Sequence, residues 1–230
     1  AYDEISGKML CEELLSKKNY FKRRTLTSDA IADANYQQKP VDVKGKLYST
    51  FATYKELPRK ADGTPGFEKI ISYTDTADTG SDKLCSIVAG QLAGQGYVLD
   101  VVYTDEPMET TEPLVAAQLH DYHVDIAKIE SNNGGRGFSR NVIRELKALG
   151  NTHTKIQWFF QSKNKTSRIL SNSTGVMQNV VFPVNWEDRW PKFAEAIRKY
   201  QKEGKNAHDD APDALTGVYE NDKPKGTWLV

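Results

Sequence analysis

From Phe67 to Tyr103 three apolar runs follow one another with short connections, and beyond Tyr103 apolar runs alternate with amphipathic ones. No other feature constrains the fold as much. The three runs are Lys69–Thr74, Leu84–Gln91 and Tyr97–Tyr103. The last two flank Gly94-Gln95-Gly96, a turn by composition, so the three predict an antiparallel meander. A helix over Thr111–Tyr122, a strand over Ile126–Glu130 and a helix over Phe138–Leu149 closed by Gly150 come next. They are followed by a strand over Lys155–Phe160, a short helix over Asn164–Ser171 and a short strand over Val180–Phe182. One helix over Trp186–Tyr200 and a last one over Asp209–Tyr219 complete the order. Directly linked strands pair antiparallel and strands separated by helices pair parallel. The class is therefore α/β, a mixed central sheet flanked by helices.

The first 66 residues read differently. Met9–Lys17 has a helical pattern, and Ser28 caps a second helix running to Tyr36. Gln37-Gln38-Lys39-Pro40 breaks it, Gly45–Tyr54 alternates as a strand does, and Arg59–Gly66 is a loop by composition. The expected organisation is a lead-in segment over 1–66 that packs on a main domain over 67–220, with a tail over 221–230.

The acids fall where that order ends strands. Asp75 follows Ile70-Ile71-Ser72-Tyr73-Thr74, and Glu130 follows Ile126-Ala127-Lys128-Ile129. Asp209, Asp210 and Asp213 open the last helix, and helical spacing puts Asp213 on one face with each of the other two. Each signal alone has a plain structural explanation: an Asp after a strand serves turns, and Asp209, Asp210 and Pro212 suit a helix start. Their order along the chain is what points to a shared site. Carboxylates converging from separate elements repel one another and stay ionised together only around a cation, and hard oxygen ligands suit Mg²⁺ or Mn²⁺. Two such ions can activate water and stabilise the leaving oxygen of a phosphodiester. His208, just ahead of the cluster, suits proton transfer, a phosphate contact or a capping role.

Net charge names no partner, since 31 basic residues balance 31 acidic ones. Charge is nevertheless segregated. Residues 73–130 carry eleven acids against Lys83 and Lys128, whereas 136–168 carry Glu145 alone against Arg136, Arg140, Arg144, Lys147, Lys155, Lys163, Lys165 and Arg168. Cations beside an acidic metal site suit a nuclease, in which they hold phosphates. Arg144 and Lys147 read as a solvated helix face. The glycines of Gly134-Gly135-Arg136-Gly137 would let backbone approach a phosphate. Trp158, Trp186 and Trp190 read as core or interface residues. The two cysteines, Cys11 and Cys85, lack metal-site spacing, which suits a reduced compartment. No apolar run approaches the roughly 20 residues of a membrane span.

Several stretches in consistent order, from about residue 28 to 219, resemble the nuclease domain of tailed-bacteriophage large terminase subunits, the DNA-packaging motor proteins. They are Tyr36-Gln37-Gln38-Lys39-Pro40 with Gly45-Lys46-Leu47-Tyr48, Asp75-Thr76-Ala77, Ile129-Glu130-Ser131-Asn132-Asn133-Gly134-Gly135, Lys163-Asn164-Lys165-Thr166-Ser167-Arg168-Ile169, and His208-Asp209-Asp210-Ala211-Pro212-Asp213-Ala214-Leu215. The resemblance implies a ribonuclease-H-like fold and a Mg²⁺- or Mn²⁺-dependent endonuclease, with two ions, that cuts concatemeric double-stranded viral DNA during packaging. It carries over to Asp75, Glu130 and the Asp209/Asp210/Asp213 cluster, with Asp213 favoured as third ligand and Asp210 next. Arg136, Arg140, Lys163, Lys165 and Arg168 would hold the DNA backbone. By the same resemblance the portal protein and the small terminase subunit are expected partners, and the procapsid in the host cytoplasm the expected location. The chain has no G-x-x-x-x-G-K-S/T phosphate loop, so it is expected to be the carboxyl-terminal portion of such a motor, without an ATP site. Two other readings stay open: another ribonuclease-H-like enzyme such as a resolvase or integrase-like recombinase, and a non-catalytic DNA-binding or docking module.

Overall fold

The computed structural model describes residues 2–3, 6–24, 36, 45–77, 82–132, 134–162, 164–204 and 206–222. At the amino end β1 (Tyr2–Asp3) pairs antiparallel with β2 (Lys8–Met9), and α1 spans Lys17–Arg24. The helix expected over Met9–Lys17 is not formed. Leu10 and Leu14, its apolar positions, are 80% and 87% exposed, so that stretch has no face to bury. Helix begins one residue after Ser16, whose Oγ accepts a bond from the Asn19 amide at 3.3 Å, and is anchored by the fully buried Tyr20 stacked on Tyr2. The helix expected over Ser28–Tyr36 and the Gln37–Pro40 break lie outside the described residues, Tyr36 excepted.

Only the end of the strand expected over Gly45–Tyr54 is a strand, β3 (Ala52–Tyr54). Leu47 and Tyr48 are consecutive and both buried, which a strand with one face on the core cannot do. The meander follows as β4 (Lys69–Asp75), β5 (Leu84–Leu92) and β6 (Gln95–Thr104), antiparallel throughout. Then come α2 (Met108–Asp121), β7 (Ile126–Glu130), α3 (Gly135–Ala148), β8 (Lys155–Phe159), α4 (Lys165–Asn179) and β9 (Val180–Pro183). The single helix expected over Trp186–Tyr200 is two, α5 (Trp186–Arg189) and α6 (Pro191–Lys199). Pro191 lacks an amide hydrogen and pushes Trp190 out of the helical region, to φ −129 and ψ 65. The final helix is α7 (Asp210–Asp222).

The strands form one seven-stranded sheet in the order β3-β9-β6-β5-β4-β7-β8. β7 pairs parallel with β4 and β8 with β7, while on the other side β9 pairs parallel with β6 and β3 with β9. Alternation along each strand builds two cores. Ile71, Tyr73, Cys85 and Ile87 face a core shared with α4, α6 and α7; Leu84, Val88 and Ile129 face one shared with α2 and α3. α7 is buried on all sides from Asp210 to Tyr219. Its contact with the sheet is set by Gly217, where an added Cβ would lie 2.4 Å from the Tyr73 ring. Its contact with α4 is set by Gly175, where a Cβ would lie 2.1 Å from the Tyr219 hydroxyl. That seat carries α4 past its expected end at Ser171, through polar residues of modest helix propensity.

Candidate metal centre

Asp75 and Glu130 end adjacent parallel strands, and alternation turns both side chains to the face that α7 covers. Thr74 is in register with Ile129, so the two acids leave the sheet side by side. The crevice outside the carboxyl ends of parallel strands is where open α/β sheets place their sites. Asp213, in the first turn of α7, comes down onto the pair. Asp75, Glu130 and Asp213 are 2%, 1% and 0% exposed, and one carboxylate oxygen from each lies within 4.8 Å of the other two.

Burial raises the carboxyl pKa of all three above the ordinary range. For Asp75 the rise is large, opposed by Lys165 and reinforced by Glu130 and Asp213. For Glu130 and Asp213 burial again leads, opposed mainly by Lys165 and Arg168 respectively. Glu130 Oε2 and Asp213 Oδ2 are buried without a hydrogen-bond partner. Acceptor oxygens left unpaired in a dry cluster fit a hard divalent cation, which takes oxygen ligands and removes the repulsion.

Two cations already serve the acids. Lys165, the first residue of α4, is set by Asn164, whose side chain caps the helix through the Ser167 amide. Lys165 Nζ donates to Asp75 Oδ2 at 2.8 Å and lies 3.9 Å from Asp213 Oδ2. Burial pulls its pKa down, but the acids outweigh that and it rises. Arg168, one turn on and 4% exposed, donates through Nε to Asp213 Oδ1 at 3.1 Å and through Nη1 to Glu220 Oε2 at 2.7 Å. The basic, DNA-facing surface expected of Lys165 and Arg168 is therefore not where these two sit: both point inward at the acids.

The remaining expected residues divide in a similar way. Asp210 Oδ2 accepts the Lys83 amide at 3.1 Å and fastens α7 to the start of β5. Asp209 is half-buried, and its carbonyl accepts the Asp213 amide at 2.8 Å. Neither joins the group formed by the other three. His208 Nδ1 is buried without a partner, beside a cavity. Arg136 and Arg140 are exposed on α3, and the Arg136 guanidinium lies 4.3 Å from the Trp158 ring centroid. Trp158 is 50% exposed, so of the two roles its sequence suggests, core or interface, it does not fill the first. Lys163 lies outside the described residues. Gly135 does let backbone come close, but to Glu130: a Cβ there would lie 2.1 Å from the Glu130 carbonyl oxygen. This glycine holds the end of β7 against α3.

A five-strand arrangement of meander plus two parallel strands, with acids at the carboxyl ends and a carboxylate-bearing helix across them, defines a ribonuclease-H-like domain with a candidate metal centre. Residues 74–181 match the family model "Terminase Bacteriophage T7, Ribonuclease H-like domain". Among solved structures, the large terminase of a thermophilic bacteriophage is 13% identical with a TM-score of 0.58, covering 90% of this chain and 52% of its own. The chain thus spans about half the length of that protein. The nuclease domain of the large terminase subunit gp2 of bacterial virus Sf6 is 12% identical with a TM-score of 0.47, covering 68% of this chain and 90% of its own. The human cytomegalovirus terminase nuclease domain, Mn soaked and inhibitor bound, is 14% identical with a TM-score of 0.45, covering 71% of this chain and 88% of its own. No curated protein matches the sequence.

Proposed function

We propose that this chain is the nuclease portion of a large terminase and hydrolyses phosphodiester bonds of double-stranded viral DNA. The reading rests on one observation above the others: Asp75, Glu130 and Asp213 converge from three elements with two buried carboxylate oxygens unpaired. In this reading the three are ligands for Mg²⁺ or Mn²⁺, and Asp209 and Asp210 shape the start of α7. Two such ions, when bound, supply an activated water and stabilise the departing oxygen. Lys165 is the group that the acids exchange for divalent cation; leaving Asp75, its ammonium stays within reach of a phosphate. Arg168 fixes Asp213. Arg136, Arg140 and Lys163 hold the backbone of the duplex, and His208 orients groups beside the acids. The main domain is 67–220, with 1–66 leading in and lending β3 to the sheet, and 221–230 as tail. A portal protein and a small terminase subunit are the partners this role calls for, at the procapsid in the host cytoplasm, with ATP hydrolysis supplied from elsewhere. None of the described helices is long and apolar enough to cross a membrane.

The direct test is incubation of the chain with supercoiled plasmid in Mn²⁺, Mg²⁺ or EDTA. Nicked and linear products with the metals and none with EDTA are expected. An intact plasmid in all three would sink the proposal, and faster cutting of branched junctions than of duplex would assign the site to a resolvase instead.

The raised carboxyl pKa values make a second, independent prediction. The folded protein holds protons that the unfolded chain has released, so metal-free stability is greatest at low pH within the carboxylate range. It declines as pH rises from the ordinary carboxylate value through the elevated folded ones. Manganese binds only the deprotonated cluster. Its stabilisation should grow over the same window, worth about 2.7 kcal/mol at a hundred times Kd, and several degrees of Tm in a chain of this size. Calorimetric scans with and without Mn²⁺ across that window check it; parallel curves would count against a shared metal site.

A further inference from the structure

Beside the acids lies a second feature that the proposed chemistry does not use. A cavity of 490 Å³ opens between β6, α6 and the approach to α7. That volume is in the range of small-molecule sites, about 300–1,000 Å³. Tyr103, Ala196 and Tyr200 form an apolar wall, and Lys83, Lys192 and Lys199 stand among its polar residues. Lys83 is paired with Asp105 at 2.9 Å and Lys199 with Glu195, which leaves Lys192 in no ion pair among the described residues. His208 also lines the cavity.

The sheet register ties this cavity to the acids. Asp75 is directly opposite Cys85, and Cys85 directly opposite Tyr103, so the three side chains stand in one row on one face. Two strand spacings separate Asp75 from Tyr103, about 10 Å. At roughly 3.4 Å of axis per nucleotide, a strand that ran along this row from a phosphate at the acids would reach the cavity within about three steps.

We propose that this cavity is a nucleotide subsite, which takes an unpaired nucleotide of the DNA strand next to the cut. The base lies on the tyrosine wall and Lys192 meets its phosphate. A paired base cannot enter, because its partner strand would have to enter with it; the subsite favours frayed or overhanging ends. The inference rests on the nuclease reading for the strand's position, while the cavity and its lining do not depend on it.

Binding in EDTA, where no cutting occurs, tests it. The probes are a labelled, fully paired duplex, the same duplex with a single-stranded overhang, and 2′-deoxyadenosine 5′-monophosphate. The overhang duplex should bind roughly tenfold tighter than the paired one, the scale of one base–aromatic stack. Ala196→Trp, which fills the cavity, should abolish that preference and leave paired-duplex affinity unchanged; Lys192→Glu, on the exposed rim, should weaken it even if Ala196→Trp fails to fold. Equal affinity of the unmodified chain for both duplexes overturns the proposal, as does a preference that survives both substitutions. Saturable mononucleotide binding without any overhang preference also overturns it, and assigns the cavity to free nucleotides. A chain that shows the preference but leaves plasmid intact in Mn²⁺ would instead refute the nuclease reading alone.

Discussion

Asp75→Asn should reduce metal-dependent plasmid cutting by on the order of a thousandfold, equivalent to about 4 kcal/mol of lost transition-state stabilisation, without lowering the Tm of the metal-free protein at mildly alkaline pH. The two halves of that expectation follow from the same surroundings. Asp75 is 2% exposed and shares its pocket with Glu130 and Asp213, so its charge is tolerated only with help. Lys165 gives some at 2.8 Å, yet burial still holds the carboxyl pKa well above the ordinary value. An amide of the same size removes the charge that this environment disfavours and keeps a carbonyl oxygen for Lys165. It is a poor ligand for a divalent cation, however, and two ligands cannot hold one in place of three. Cutting assays and calorimetry on the same preparation separate the outcomes. A large fall in Tm would mean that Asp75 is a structural partner of Lys165, and undiminished cutting would remove Asp75 from the centre.

The contrast between Asp75 and Asp213 shows how much of this site could be read before the structure. Asp75 and Glu130 each follow a short apolar run, and such a run fixes the element and the place of the acid at its end. α7 carries no such pattern, because it is buried on all sides. Spacing puts Asp213 on one face with each of Asp209 and Asp210 without choosing among them, and packing brings Asp213 to the other two acids: Gly217 seats the helix on Tyr73, and the Lys83 amide holds Asp210 aside. The basic segment after Gly135 misleads for a related reason. Charges counted along a chain do not distinguish a cation facing solvent from one neutralising a buried acid. The signal that separates them was present: Arg168 adjoins Ile169, on the helix face that enters the core. Proline broke the predicted helix at Trp190 by a rule visible in the sequence, whereas the extension of α4 beyond Ser171 depended on a partner helix that follows 30 residues later in the chain. The cavity beside Tyr103 left no mark in the sequence, since the segments that line it meet only in the fold.

Arg168 carries the second large effect. Its guanidinium spans Asp213 and Glu220, donates also to the Asp213 carbonyl at 3.1 Å, and lies 5.7 Å from the Tyr73 ring centroid. One side chain therefore joins α4, α7 and β4 at the point where the third acid must be held. Arg168→Ala leaves Asp213, fully buried, without its main counter-charge. Breaking one partner of such a pair costs about 3–5 kcal/mol, and at about 2–4 °C per kcal/mol the Tm should fall by on the order of 10 °C. Arg168→Lys keeps the charge but loses the planar fork that reaches both carboxylates and the carbonyl, so it should recover only part of that loss. Saturating Mn²⁺ should narrow the difference between Arg168→Ala and the unmodified chain, because a cation at the cluster would replace the missing compensation for Asp213. A Tm loss of the same size with and without Mn²⁺ would mean that Arg168 acts through Glu220 and Tyr73 alone, and that Asp213 is not part of the metal centre.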